Sequence, residues 1–221
     1  MLFSGKKSDD GTIVELLAST LRRDIAFGTL LPDQKLKIEE LRARYGGSNH
    51  SMRETLRILS TEGLVEATAQ RGFRVTSATE DDVRDIQMVR FEVEKVALSR
   101  AIAFGDVAWE GRVMAAHHAL QKAEAAAAAN PDDLIALKWD EACRAFSYAL
   151  IEACDSPRLI DLHRKFFDQS RRFRLAQLRE GRLDWAARKQ RQQGLLEAVL
   201  SRNEDTALHL LQQDVDAELR H

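Results

Sequence analysis

Apolar residues recur at helical spacing along most of the chain, and the clearest stripe lies between residues 48 and 64. Its apolar side consists of Met52, Leu56, Leu59 and Leu64, and its polar side of Asn49, His50, Arg53 and Arg57. Ser51 followed by Glu54 predicts a capping box at the start of this helix, and Gly63 predicts a left-handed residue at its end. The pattern indicates an amphipathic helix whose polar side could bind nucleic acid.

Two further helices are predicted upstream of this stripe. Thr12 and Glu15 fit a capping box at the start of the first helix, which Gly28 ends. After a Pro-Asp turn a short helix is predicted over Ile38–Tyr45, and two glycines separate it from the amphipathic helix. Residues 1–11 are polar, and we expect them to form a disordered arm. Two helices joined by a tight turn are an arrangement that binds DNA.

A small β-hairpin is predicted directly after the amphipathic helix. Residues 64–68 and 73–76 are rich in strand-forming residues, and Gln70-Arg71-Gly72 between them has turn chemistry. The hairpin would form a wing, so residues 12–78 are predicted to be a winged helix-turn-helix domain.

Residues 79–221 show helical stripes and no strand pattern. Glycine, proline and asparagine interrupt the stripes where helices would end. Six helices are predicted: Glu80–Phe104, Asp106–Ala129, Asp132–Ala153, Pro157–Glu180, Leu183–Ser201 and Asn203–Arg220. The predicted fold class is therefore mainly α, with an N-terminal winged helix-turn-helix, a small β-hairpin and a C-terminal all-α antiparallel helical bundle.

Charge and composition give only weak evidence about the class of protein. Residues 1–78 hold 12 Lys+Arg and 10 Asp+Glu, a net charge of +2, whereas residues 79–221 hold 21 and 25, a net charge of −4. No apolar run is long enough for a membrane span and no signal peptide is evident, so we expect a cytoplasmic protein without a membrane partner. Cys143 and Cys154 lie too far apart on one predicted helix to be bridged, and we expect buried, reduced thiols.

Several segments resemble the gluconate-repressor-type (GntR) regulators and, within them, the fatty-acid-regulator (FadR) branch with its all-helical effector domain, the FCD domain. The matching pieces of the first domain are residues 25–32, 36–41, 48–56, 62–65 and 71–75. In the second domain Arg90 with Glu94, residues 146–159 and residues 195–207 match in the same order. The resemblance implies a DNA-binding transcription regulator and covers nearly the whole chain.

In that family the start of the recognition helix and the tip of the wing touch DNA. The resemblance places these contacts at Asn49, His50, Ser51, Arg53, Arg71 and Gly72. The family usually has Arg at the position of Asn49 and Pro at that of Ser51, and often Arg at that of Glu39. Because asparagine suits adenine whereas arginine suits guanine, we expect an operator that differs from the common family consensus, with Arg53 as the guanine reader.

Many members of this branch hold a metal ion in the helical domain through one Asp and three His. The resemblance puts Cys143, Ser147, Gln192 and Asp214 at these four positions. A thiol, a hydroxyl, an amide and one carboxylate make a poor shell for such ions. We therefore expect neither metal nor cofactor, and an organic effector bound by these four residues and by Arg90. The alternative for Arg90 is a structural ion pair with Glu94.

The sequence gives little support for a histidine metal site elsewhere or for an enzyme. The histidines at 117, 118, 163 and 209 lack the spacing of a metal site, and no catalytic triad or phosphate-binding glycine loop is present, so an enzyme is not expected. Of Arg171, Arg172 and Arg174, one could point inward and hold a carboxylate.

The resulting expectation is a homodimeric regulator of a double-stranded DNA operator, modulated by a small organic acid. Two alternatives remain open: a ligand-independent DNA-binding protein with a degenerate pocket, and a metal-dependent variant with unconventional ligands.

Overall fold

A computed structural model describes residues 6–68 and 72–217. The chain divides into two compact units, Met1–Asp82 and Val83–His221, so the division falls four residues after the boundary expected at residue 78. Across the described residues the architecture is mainly α with one small sheet, which confirms the expected fold class.

The described residues of the first unit form three helices and three short strands. These are α1 (Lys6–Ala26), β1 (Lys35–Leu36), α2 (Ile38–Tyr45), α3 (Asn49–Thr61), β2 (Val65–Thr68) and β3 (Gly72–Val75). The strands form an antiparallel sheet in the order β1-β3-β2, with Val65 opposite Val75 and Lys35 opposite Arg74. The predicted wing is confirmed as β2 and β3, whereas β1 was not predicted.

The expected disordered arm is wrong for residues 6–11. Helix α1 begins at Lys6, so Thr12 lies inside the helix and does not cap it. Residues 1–5 of that arm lie outside the described part of the chain. The helix extends through the continuous polar run at residues 6–10 because polar residues are tolerated in a helix whose apolar stripe is anchored further along.

The core of the first unit is built from the apolar sides of its three helices and the inner face of the sheet. Its largest fully buried members include Leu21, Leu30, Met52, Leu56 and Leu59. Arg22 of α1 donates from Nε and Nη2 to the Glu62 carboxylate, at 2.8 and 2.7 Å, and so fixes the end of α3 against α1. The stripe predicted on α3 is thus the inner side of that helix, and its polar side faces solvent.

The start of α3 is capped differently from the prediction. Ser48 is the N-cap: its Oγ accepts from the Ser51 amide at 3.0 Å, and the Ser51 Oγ accepts from the Ser48 amide at 2.8 Å. The capping box is therefore Ser48 with Ser51 rather than Ser51 with Glu54. Gly63 has φ of 78°, as predicted for a left-handed residue after the helix.

The second unit is a helical bundle, and its six helices lie close to the predicted bounds. They are α4 (Glu80–Phe104), α5 (Val107–Ala129), α6 (Asp133–Ile151), α7 (Pro157–Arg179), α8 (Trp185–Leu200) and α9 (Glu204–Ala217), with α4 beginning just before the division between the units. Neighbours run antiparallel: Trp109 near the start of α5 donates from Nε1 to the Ala149 carbonyl near the end of α6, at 2.8 Å.

Side-chain caps and one close approach fix the helix ends. The side chains of Asp106, Asp132, Ser156 and Asp184 each accept a hydrogen bond from the backbone three residues on, which explains why these boundaries were readable in the sequence. A Cβ at Gly105 would lie 2.0 Å from Cε3 of Trp109, so glycine is required for this ring to close the core.

Candidate functional site

The outer side of α3 is a basic, solvent-exposed surface. Asn49, His50, Arg53 and Arg57 are all exposed, as the stripe predicted. Arg42 and Arg44 in the last turn of α2 are exposed as well. Arg57 lies 3.5 Å from the Glu54 carboxylate, an ion pair within the helix surface. A helix that presents arginine and asparagine at its first turns has the groups needed to contact base edges and phosphates.

Asn49 is positioned by the preceding helix. Arg42 donates from Nη1 to the Asn49 Oδ1 at 3.1 Å and from Nε to the Gly47 carbonyl at 3.3 Å. This bond joins the last turn of α2 to the first turn of α3 and orients the amide of Asn49. The role of Arg42 in positioning Asn49 was not predicted, because the bond between the two side chains crosses the turn between α2 and α3 and follows no helical spacing.

Ser51 does not lie on this surface. It is 3% exposed, and its hydroxyl is engaged in the capping box with Ser48. Its expected role as a DNA contact therefore does not fit the structure, in which Ser51 holds the start of the helix that carries Asn49 and Arg53.

Two residues of the wing, Arg71 and Gly72, are expected to contact DNA. Arg71, the expected wing contact, lies outside the described residues. Gly72 is exposed with φ of 83°, and a Cβ there would meet nothing within 4 Å. The glycine is thus required by backbone conformation rather than by crowding within the chain.

In the second unit the five expected effector residues line one cavity. Arg90 comes from α4, Cys143 and Ser147 from α6, Gln192 from α8 and Asp214 from α9. The cavity has a volume of about 20 Å³, room for about one water molecule. A metabolite therefore requires this cavity to open.

Arg90 belongs to a buried network rather than standing ready for a ligand. Its Nε donates to the Glu94 Oε1 at 2.7 Å, and the His163 Nδ1 lies 3.0 Å from the same oxygen. Burial alone would raise the pKa of the Glu94 carboxyl, but the Arg90 charge and the His163 contact outweigh it and lower the pKa to about 2. The structural pair with Glu94 that the sequence left open is thus present.

A second arginine lines the cavity and was missed. Arg188 of α8 is buried; its Nε donates to the Glu124 Oε1 at 2.6 Å, and its Nη2 lies 3.3 Å from the Cys143 Sγ. It precedes Gln192 by four residues and so shares its side of the helix. That spacing is the signal that could have identified it.

Two side chains at the cavity, Gln192 and Glu94, carry buried polar atoms without a hydrogen-bond partner among the described residues. The atoms are Nε2 and Oε1 of Gln192 and Oε2 of Glu94. Unpartnered buried polar atoms are costly and call for a water molecule or a ligand that satisfies them. The cavity therefore contains buried polar atoms that the residues in the described ranges do not satisfy with hydrogen bonds.

The cavity does not fit the metal ion that its position suggests. No group of three or more His, Cys, Asp or Glu that could hold a metal occurs among residues 6–68 and 72–217. In addition, the Arg188 guanidinium lies against Cys143, where a cation would be repelled.

The remaining candidate residues, the arginine cluster of α7 and the two cysteines, are held by contacts within the chain. Arg174 of α7 is buried and donates from Nη2 to the Asp140 Oδ1 at 2.8 Å. The Arg171 Nε lies 2.7 Å from the other oxygen of the same buried carboxylate, so two members of the arginine cluster point inward. Cys143 and Cys154 are buried thiols that are not joined by a disulfide, as expected. No helix in the described part of the chain is long and apolar enough to cross a membrane.

Family models match both units. Residues 14–75 match the model of bacterial regulatory proteins of the gntR family, and residues 85–217 match the FCD domain. These ranges contain α3 with its basic surface and all five residues expected at the cavity.

Individual relatives agree with these matches. The chain is 34% identical over 196 residues to the HTH-type transcriptional repressor GlaR of Escherichia coli, covering 87% of this chain and 88% of that relative. It is 38% identical over 145 residues to the uncharacterized HTH-type transcriptional regulator BphR of Paraburkholderia xenovorans, covering 66% of this chain and only 59% of that relative.

A solved structure shares the fold. McbR/YncC of E. coli superposes with a TM-score of 0.70 at 18% identity, over 92% of this chain and 93% of that one. GlaR is named as an HTH-type transcriptional repressor and BphR as an HTH-type transcriptional regulator. The chain belongs to the gntR family of bacterial regulatory proteins and is a transcriptional regulator with an FCD domain.

Proposed function

We propose that this regulator binds a double-stranded DNA operator as a homodimer and that a small organic acid in the FCD domain modulates its affinity for DNA. The observation that carries the proposal is the convergence of Arg90, Cys143, Ser147, Gln192 and Asp214 on one cavity that also holds unpartnered buried polar atoms. GntR regulators bind DNA and FCD domains bind small-molecule effectors, which supports both halves of the proposal.

The proposed DNA contacts are the exposed residues at the start of α3, with Asn49, His50 and Arg53 reading bases and Arg57 on the same surface. Arg71 and Gly72 at the wing complete the proposed interface. Linkage supplies the mechanism: an effector that binds better to one conformation of the dimer shifts the population towards it and so changes operator affinity.

The cavity has a volume of only about 20 Å³, and this favours the ligand-independent alternative enough that it should be tested beside the proposal. A ligand-independent regulator would keep such a cavity closed. An effector-dependent one must open it, so its apparent affinity is lowered by the cost of opening.

Mapping the DNA sites of the protein across its genome, followed by gel-shift titration on the strongest site, tests the proposal. We expect a specific site near genes for the metabolism of a small organic acid, and we expect that acid to change the DNA affinity. Specific binding that no acid from this neighbourhood alters would favour the ligand-independent alternative.

A further inference from the structure

Arg188 and Glu124 form a buried ion pair between the cavity and the protein surface. Arg188 lines the cavity, whereas its partner Glu124 lines a surface groove between α5 and α8 with a volume of about 210 Å³. The groove also contains Trp185 and Lys189, which flank Arg188 on α8. The side chains of the pair are only 4% and 8% exposed, so the pair closes the wall between the two spaces.

We propose that this pair is the entrance and the carboxylate site of the cavity: an effector carboxylate enters through the α5–α8 groove and replaces Glu124 on Arg188. The proposal deepens the proposed function and rests on it. Arg188, rather than Arg90, would be the cation that the effector meets first.

The exchange is electrostatically feasible because it substitutes one carboxylate for another. Separating a buried guanidinium from a carboxylate is strongly disfavoured, so a neutral ligand that displaced Glu124 would break this ion pair without replacing it. A carboxylate keeps the charge balanced, and the planar guanidinium can bind it with two parallel hydrogen bonds. Glu124 lies at the groove wall with Lys189, so its displaced carboxylate can reach water and a cation.

Arg188 is held in place for this role. Its guanidinium carbon lies 5.4 Å from the ring centre of Trp139, and Trp139 packs edge-on against Trp185 with 6.0 Å between ring centres. Aromatic packing of this kind orients a guanidinium without neutralising it. The position of the charge is therefore set by the core, whereas its partner comes from another helix and can be exchanged.

Gln192 adds a preference among carboxylates. It lies one turn after Arg188 on the same side of α8, and both its amide nitrogen and its amide oxygen are buried without a hydrogen-bond partner in the part of the chain that the structure describes. A hydroxyl group can accept from the nitrogen and donate to the oxygen. The ligand class that satisfies both residues is a small hydroxycarboxylate, with its hydroxyl a few bonds from the carboxylate.

The test uses the full-length protein and probes of defined chemistry. These are straight-chain carboxylates of up to about six carbons, with and without a hydroxyl group, and the primary amide of each. Thermal stabilisation and tryptophan fluorescence are measured for the wild type, Arg188→Gln and Glu124→Gln. Arg112→Gln and Glu110→Gln, two changes of the same kind elsewhere on α5, serve as matched controls.

We expect at least one hydroxycarboxylate to raise the melting temperature of the wild type and of both controls, and its amide to have no effect. Arg188→Gln should lose this shift. Glu124→Gln should bind the acid about tenfold or more tightly, because the competing carboxylate is gone. If Arg188→Gln does not fold, Arg188→Lys tests the same point: it keeps the charge, loses the planar fork and should bind more weakly.

Failure of this inference differs from failure of the proposed function. Retention of the shift by Arg188→Gln, together with its loss in Arg90→Gln, would overturn the role of Arg188 and leave an organic-acid effector in place. Equal stabilisation by acids and amides would also overturn the exchange. If no carboxylate stabilises either the wild type or Glu124→Gln, both the exchange and the organic-acid effector are wrong.

Discussion

Arg53 is exposed near the start of α3, on the side that the family resemblance assigns to base reading. We expect Arg53→Ala to reduce the preference for operator over random DNA by about 1–3 kcal/mol, the value of one bidentate base contact. Arg57→Ala, a matched change one turn further along, should weaken binding to both DNAs alike if Arg57 contacts phosphate. Gel-shift titration at fixed salt measures both. Unchanged discrimination in Arg53→Ala would show that Arg53 does not read bases.

Single residues were predictable from the sequence where their role follows local spacing. The exposed side of α3 was identified because helical periodicity assigns Asn49 and Arg53 opposite to the buried leucines. The pairing of Arg188 with Glu124 was missed because the two residues lie 64 positions apart and no local pattern encodes such a contact. Only the side of α8 on which Arg188 lies was marked in the sequence, by its four-residue spacing to Gln192. Ser51 was assigned to DNA through the family resemblance, which could not show that its hydroxyl is buried in the capping box with Ser48.

Glu94 makes stability depend on pH in the acid range. Its pKa of about 2 in the folded protein lies below the ordinary value of 4.5, so the unfolded chain binds the proton first as the pH falls. The stabilisation is complete above pH 4.5 and is lost between about pH 4.5 and 2, by roughly 3 kcal/mol. Denaturant titrations from neutral to acid pH should show that the stability difference between wild type and Glu94→Gln shrinks on acidification.

Glu92→Gln is the control for this experiment, since Glu92 is exposed on the same helix and pairs only at the surface with Lys95. Its difference from wild type should stay small at every pH. A constant difference for Glu94→Gln across the acid range would contradict the role of the Arg90–Glu94–His163 network.

Helices were predicted more closely than the sheet because their ends carry local chemistry. Asp106, Asp132, Ser156 and Asp184 each cap a helix of the second unit, and such caps are visible in sequence. Strand β1 has two residues, Lys35 and Leu36, and exists only through its pairing with β3. A run this short has no periodicity of its own, so it could not be predicted.

The capping box of α3 gives an element-scale prediction. Ser48→Ala removes the acceptor for the Ser51 amide, and we expect it to destabilise the first unit by about 1 kcal/mol and to weaken operator binding as the first turn frays. Ser48→Asn, which keeps an acceptor at the N-cap, should remain near the wild type in both respects. Denaturant unfolding and gel-shift titration together provide the test. Equal stability of all three proteins would show that the box is not needed to hold the start of α3.

At the scale of the whole molecule, the chemistry of the cavity predicts independence from metal. Cys143, Ser147, Gln192 and Asp214 form a poor donor set, and the Arg188 guanidinium occupies the neighbourhood of the thiol. We expect the purified protein to contain no stoichiometric zinc, nickel or manganese, and its melting temperature to be unchanged by chelator. About one tightly held metal per chain, lost with chelator together with several degrees of stability, would instead support the metal-dependent alternative.

The proposed reading of DNA requires two copies of the chain. One α3 helix covers one half-site, and two half-sites on one side of DNA lie about one turn, ~34 Å, apart, so a symmetric operator needs a symmetric pair of helices. We expect the helical unit to supply the dimer contact, because α4 carries exposed apolar side chains such as Met88 and Val96, 60% and 46% exposed.

Sedimentation tests where the dimer contact lies. At a protein concentration of roughly tens of micromolar, which suits a modest interface, the full chain should be a dimer and residues 1–78 alone a monomer. A monomeric full chain, or a dimer of residues 1–78, would contradict this assignment, since the first would leave the half-sites uncoupled and the second would place the contact in the DNA-binding unit.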